Sequence, residues 1–141
     1  MDIILLRNAL QVAGILQMAL CIGSLLIPKL LDWRGELIKV KPLIRQIFWT
    51  YAGYILITNL CFGLLSFFVA DSLLDHSILA TCVSGYIAVY WISRVLIQFF
   101  YFDRKSAPEG AIYKLGEVGL VSLFVLLSVC YSLVFLANIH L

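Results

Sequence analysis

Four stretches of this chain contain no Asp, Glu, Lys or Arg: residues 8–28, 46–70, 77–93 and 118–141. A helix needs about 20 apolar residues to cross the hydrocarbon core of a bilayer, and each stretch has that length or nearly so. Apolar residues make up 63% of the chain, against roughly 45–50% in soluble domains, and the mean hydropathy is +1.04. Soluble proteins keep apolar residues on one face of each element. These segments are apolar all round, as membrane spans or fully buried helices are. Four of them in 141 residues leave no water-soluble shell to bury them, so lipid is the solvent. The sequence predicts an all-α integral membrane protein. It is one domain over residues 1–141, a four-transmembrane-helix bundle with spans at about 3–27, 46–70, 77–102 and 113–139.

Span one reads as retained. Met1-Asp2 offers no basic n-region, Arg7 lies inside the apolar run, and no small-x-small cleavage site follows. Leu20 stands where a lipoprotein signal before Cys21 would place a small residue. The connections between spans are short, so their charge sets the orientation. Loop one carries Lys29, Arg34, Lys39, Lys41 and Arg45, and loop three carries Arg104, Lys105 and Lys114. Of the ten basic residues only Arg7 and Arg94 lie elsewhere. Loops one and three are therefore expected in the cytoplasm, with both termini extracytoplasmic, in a bacterial inner membrane.

Loop one alternates Leu30, Leu31, Trp33, Leu37, Ile38 and Val40 with basic residues. Lys29, Trp33, Arg34, Lys39 and Lys41 form a candidate surface for anionic lipid head groups, at about 1 kcal/mol per basic residue near the membrane. The same charges also serve as ordinary topology signals, with Asp32 and Glu36 neutralising two of them. Loop two, from Asp71 to His76, permits only a tight hairpin, with Asp75 or Ser77 capping the next helix. In loop three, Ala107-Pro108-Glu109-Gly110 reads as a turn.

Arg94 is the residue that most needs explaining. It lies nine residues before Asp103, about 13 Å along the helix from the cytoplasmic end. A charge at that depth costs about 2.5–3.5 kcal/mol on insertion scales and normally faces the bundle with a partner. Tyr86, Tyr90, Arg94 and Gln98 follow one another at four-residue spacing, with Tyr101 slightly off the line. A second stripe, Gln46, Thr50, Tyr54 and Thr58, runs along span two and could face it. Gln17, Cys21 and Ser24 on span one and Glu117 on span four could converge on the same polar patch, with Glu117 as counter-ion. Three readings are open. Arg94 and its neighbours hold the helices together, or they bind an anionic or carbonyl-bearing guest such as a lipid phosphate or quinone, or they line an ion path.

Arg7, near the outer end of span one, is expected to pair with Asp2, Asp71 or Asp75. Gly14, Gly53, Gly63 and Gly85 are expected close-packing positions, although none forms a G-x-x-x-G motif. Cys21, Cys61, Cys82 and Cys130 fall one to a span, without metal-ligand spacing, and read as packing residues. Asp71, Asp75, His76 and His140 are suitable ligand types, but their spacing matches no metal motif. No metal or other cofactor is indicated. With both histidines near the outer margin, Ser–His or Cys–His catalysis has little to work with, so no catalytic residue is assigned.

The strings Leu31-Asp32-Trp33-Arg34-Gly35-Glu36-Leu37, Pro42-Leu43-Ile44-Arg45-Gln46-Ile47-Phe48-Trp49 and Trp91-Ile92-Ser93-Arg94-Val95-Leu96-Ile97-Gln98-Phe99-Phe100 resemble a group of small four-span bacterial inner-membrane proteins, a resemblance that carries no function with it. Small multidrug-resistance transporters use a Glu in span one, where this chain has Gln11 and Gln17. The four-span glutathione-transferase-like membrane family carries Arg, Asn and Glu early in span two, where Arg45 stands alone. The DoxX-like outline is shared, but outline alone transfers no function. The leading expectation is a small accessory subunit of a larger membrane system, without a catalytic centre of its own. Its partners are the bilayer and either another membrane subunit or further copies of itself, with no role for nucleic acid. The alternative is a membrane-embedded binding module for a lipid or quinone-like ligand, built on Arg94, Gln98, Tyr90, Tyr86, Gln46, Thr50, Tyr54 and Glu117. A homo-oligomeric small transporter comes third.

Overall fold

The computed structural model describes residues 3–101 and 110–139. The turn at residues 107–109, together with Asp2, Arg104, Lys105 and His140, lies outside the described residues. The elements are α1 (Ile3–Ser24), α2 (Ile27–Leu30), α3 (Trp33–Leu37), α4 (Pro42–Phe68), α5 (Ala70–Leu73), α6 (Ile78–Phe100) and α7 (Ala111–Ile139). Four helical stretches are long and apolar enough to cross a membrane: α1 continued by α2, then α4, α6 and α7. The chain is thus an all-α four-helix membrane bundle.

Local chemistry, rather than charge, sets the helix ends. α4 starts at Pro42, four residues before the expected span. Proline suits the first helical position, and it holds Lys41 extended at φ −60°, ψ 146°. The charged Arg45 is simply carried within the first turn. α6 starts after Ser77, whose hydroxyl accepts the Ala80 amide at 3.0 Å, one of the two caps expected. Asp75 instead accepts the Ser77 amide at 3.0 Å. Hydrogen bonds from Ser77 hold the Asp75 carboxyl below its usual range.

Both described loops are more structured than the sequence suggested. Loop one folds into α2 and α3, separated by Asp32 in the left-handed region at φ 50°, with its carboxylate accepting the Gly35 amide at 3.3 Å. Loop two contains α5, which packs on α1, α4 and α6 and buries Ala70 and Leu73. Arg7 Nε donates to Asp71 Oδ1 at 2.7 Å, one of the three pairings expected. Both side chains are exposed, so Asp71→Asn should lower stability by less than about 1 kcal/mol. Thermal unfolding in detergent would read this as a small midpoint shift, and a larger loss would mean that the pair braces α5. Asn138, buried near the end of α7, donates to the Leu73 carbonyl at 2.8 Å and accepts the His76 amide at 3.1 Å, pinning loop two to the bundle.

Packing is uneven around and along the bundle. α1 runs tightly beside α4 and α6 beside α7, while α1 and α7 touch more lightly. The α1–α4 contact is close enough to bring Gly14 and Gly63 backbone to backbone. Burial is concentrated on the loop-two side. In α4 the buried residues are Asn59, Gly63 and Ser66. In α6 they end at Trp91, and in α7 they begin at Phe124. Among the described residues, none is buried over 42–58, 92–101 or 110–123. The half of the bundle nearer loops one and three is open.

Candidate functional site

At the centre of the packed half, one side chain from each spanning helix meets in a hydrogen-bonded tie. Trp91 Nε1 of α6 donates to Gln17 Oε1 of α1 at 3.2 Å. Gln17 Nε2 donates to the Tyr131 hydroxyl of α7, which is hydrogen-bonded in turn to the Ser66 hydroxyl of α4. All four residues are fully or almost fully buried. Polar groups in such a place are stable only when partnered, and these partner one another. Toward loop two, the fully buried Leu10, Ile87 and Val134 fill a dry layer between this tie and the Asn138 group.

Toward loop one, the tie leads to Arg94. The Phe124 ring stacks on Trp91, with centroids 5.4 Å apart, and carries the Arg94 guanidinium 4.9 Å from its centre. A cation over an aromatic face in a desolvated setting gains about 2 kcal/mol. Arg94 is half-buried, about 9 Å along α6 from its end at Phe100.

Beside Arg94, α4 and α6 separate. Their meeting point is Tyr90, whose hydroxyl donates to Asn59 Oδ1 at 2.6 Å and whose ring meets Phe62 edge-on at 5.2 Å. The same helix faces continue toward loop one as Ile55 and Tyr51 on α4 and Ile97 on α6, at spacings of seven and eleven residues. All three are exposed, Tyr51 by 62%. Beyond the Asn59–Tyr90 bond neither helix buries a residue, at 42–58 or at 92–101, and this exposed α4–α6 face, opening toward loops one and three, is the candidate cleft. Arg94 lies one turn below the closure, and Gln98, half-buried, lies one turn further.

The expected site is regrouped accordingly. Tyr90, Arg94 and Gln98 line one side of the cleft. Tyr86 is exposed, with its ring against Phe62. Of the α4 stripe only Thr58 stays near the cleft, whereas Gln46, Thr50 and Tyr54 are exposed. The reason is helical geometry: a four-residue step overshoots a turn by about 40°, so the stripe winds away from α6. The hydroxyls of Thr50 and Thr58 bond back to the carbonyls of Gln46 and Tyr54, within their own helix. Glu117 is half-buried, two turns from Phe124 toward the start of α7. Gln17 belongs to the buried tie. Asn59, Ser66, Trp91 and Tyr131 were not singled out from sequence, although an Asn in mid-span was a usable signal.

Loop one also divides. Lys29 and Arg34 line a cavity of about 430 Å³ with Asp32, Leu25, Pro28 and Trp49. Trp33 is packed edge-on against Phe48 and Trp49. Lys39 pairs with Glu36 at 3.3 Å, and Lys41 precedes α4 as its cap. A second, apolar groove lies between α1 and α7, walled by Leu16, Leu20, Leu120 and Leu123 over Gly116 and Gly119. Among the described residues no cluster of His, Cys, Asp and Glu has the makings of a metal site.

The fold is an all-α bundle of four helices long and apolar enough to cross a membrane, with a half-buried arginine on the third of them. No protein family, curated protein or solved structure matches this chain.

Proposed function

We propose that this protein is a membrane-embedded binding module for an amphiphile with an acidic or carbonyl head, such as a phospholipid or a quinone. The guest enters sideways between α4 and α6. The observation that carries this reading is the opening of the α4–α6 face beside Arg94, which gives lipid-phase molecules access to a fixed cation. The guanidinium presents a planar fork of donors suited to phosphate, carboxylate or paired carbonyls, and Phe124 holds its orientation. Tyr51, Ile55 and Ile97 supply apolar walls for the guest's tail. The excess of basic residues in loops one and three supports an orientation with the open side of the cleft in the cytoplasmic leaflet of a bacterial inner membrane.

The test is native mass spectrometry of the protein gently extracted from its own membrane. Wild type should carry a small-molecule guest, and Arg94→Ala should retain it about ten- to a hundred-fold less while folding normally, the size of a lost charge-assisted hydrogen bond. A guest-free wild type, or a guest held equally by Arg94→Ala, would sink the proposal.

A second reading, a subunit of a larger membrane assembly, draws on Tyr54. It lies near the middle of α4, is 62% exposed and sits off the cleft face. There its hydroxyl meets lipid tails unless another chain supplies a partner. A stoichiometric second polypeptide in the same spectra would favour that reading. Transport through one protomer fits less well, because the dry layer of Leu10, Ile87 and Val134 lies across the path.

A further inference from the structure

We propose that the cavity under loop one, walled by Lys29, Arg34, Asp32, Leu25, Pro28 and Trp49, is a specific site for the head group of one anionic phospholipid. It is separate from the cleft at Arg94 and does not depend on a guest being bound there.

Lys29, Arg34 and Asp32 share one hollow with Leu25, Pro28 and Trp49, and because all but Pro28 are exposed it opens to the surface. At about 430 Å³ it falls within the range of small-ligand sites, roughly 300–1,000 Å³. Its walls come from two directions, the α1–α3 segment on one side and α4 on the other. The aromatic cluster fixes them together: Trp33 meets Phe48 at 4.9 Å and Trp49 at 5.6 Å between centroids. Trp49 thus both braces α3 against α4 and forms a wall of the cavity. Indole rings favour the head-group level of a bilayer, where one edge is wet and the body apolar.

The charge balance selects an anion. Loop one holds two acids, of which only Asp32 reaches the cavity wall. Glu36 is paired with Lys39. Asp32, held in the left-handed conformation, directs Oδ1 to the Gly35 amide. Lys29 and Arg34 therefore outweigh the one carboxylate on the cavity wall. A head-group phosphate would sit between the ammonium and the guanidinium, with its glycerol and upper acyl carbons against Leu25, Pro28 and Trp49. Phosphate is the shared chemistry, and an amphiphile is the source because the apolar Leu25, Pro28 and Trp49 share the cavity wall with the two basic residues.

The experiment reconstitutes the full chain into vesicles of equal parts phosphatidylglycerol and phosphatidylcholine, then extracts it for native mass spectrometry. One phosphatidylglycerol per protomer should survive activation in preference to phosphatidylcholine. Lys29→Gln with Arg34→Gln should weaken retention about 30-fold, the effect of two basic groups at about 1 kcal/mol each. Lys39→Gln with Lys41→Gln removes the same charge outside the cavity and should leave retention unchanged. Equal retention of the two lipids by wild type would overturn the proposal without reference to any variant. So would equal losses in the two double variants, which would show bulk charge alone. Loss in Arg94→Ala with none in the Lys29–Arg34 variant would move the lipid to the cleft, and a bare phosphate adduct would show that the cavity takes the free ion instead.

Discussion

Gly14→Ala should loosen α1 from α4 and lower stability by about 3 kcal/mol, the upper end of what overpacking a well-filled interior costs. A methyl at this position would stand 2.6 Å from the Gly63 carbonyl oxygen and 2.8 Å from the Phe67 amide nitrogen. Both are backbone atoms, so no side-chain rotation relieves the clash and the helices must move apart. Separation is serious in a membrane. Lipid tails are as apolar as leucine, so helix pairs are held by close packing rather than by exclusion from water. The reciprocal contact is also tight: a methyl on Gly63 would lie 2.9 Å from the Gly14 carbonyl oxygen. Gly53→Ala is the control. Sequence alone placed Gly53 among the close-packing glycines, but nothing lies within 4 Å of its added methyl, so that change should fall within about 0.5 kcal/mol of wild type. Unfolding in graded denaturing detergent reads both. Equal midpoints for the two variants would show that α1 does not seat on α4 through Gly14.

Gln17→Leu should be the most damaging single change in the polar tie, at about 2–3 kcal/mol. It strands the buried Trp91 indole N–H and leaves the Tyr131 hydroxyl with Ser66 as its one partner, and an orphaned buried group costs about 1–3 kcal/mol. The value adds to that one orphaned group the lost Gln17–Tyr131 bond, which counts for less, since hydrogen bonds in membrane proteins average nearer 0.6 kcal/mol, chains unfolded in lipid also finding partners. Tyr131→Phe should cost less, since Gln17 Nε2 keeps a bond to the Ala13 carbonyl at 3.3 Å. Ser66→Ala should cost least, at about 0.5–1 kcal/mol, because Tyr131 retains Gln17. The ordering is the test: equal losses across the three variants would mean that the tie is not a chain with Gln17 at its hub. Trp91 fluorescence gives a second readout, since its indole loses a partner only in the Gln17 variant.

How much was legible beforehand depends on the kind of question. The number of spanning helices was, because charge-free length is a property of the chain itself. So was one cap of α6, since Ser77 acts within three residues of its own position. α4 starts four residues before the span boundary that the change in charge at Arg45 suggested. A bilayer constrains where charges sit, but the helix itself starts where Pro42 allows. The polar stripe on α4 was followed at a strict spacing of four, which drifts around the helix. The mixed spacing Ala52, Leu56, Asn59, Gly63 and Ser66 is the one that stays on the inner face.

By itself, then, the sequence determined four apolar spans, basic loops one and three, and an arginine set well inside the third span. Each follows from the cost of placing charge in hydrocarbon, which depends on position along the chain and not on its neighbours. Only the tertiary structure decided which faces meet: that Gln17 joins Trp91 and Tyr131, that Arg94 rests on Phe124, that Gly14 and not Gly53 touches backbone, and that α4 and α6 part beside Arg94. In water the inward face of a helix is marked by hydrophobicity. In lipid the core face and the outer face are equally apolar, so rotation and crossing are set by shape and a few hydrogen bonds between residues far apart in sequence.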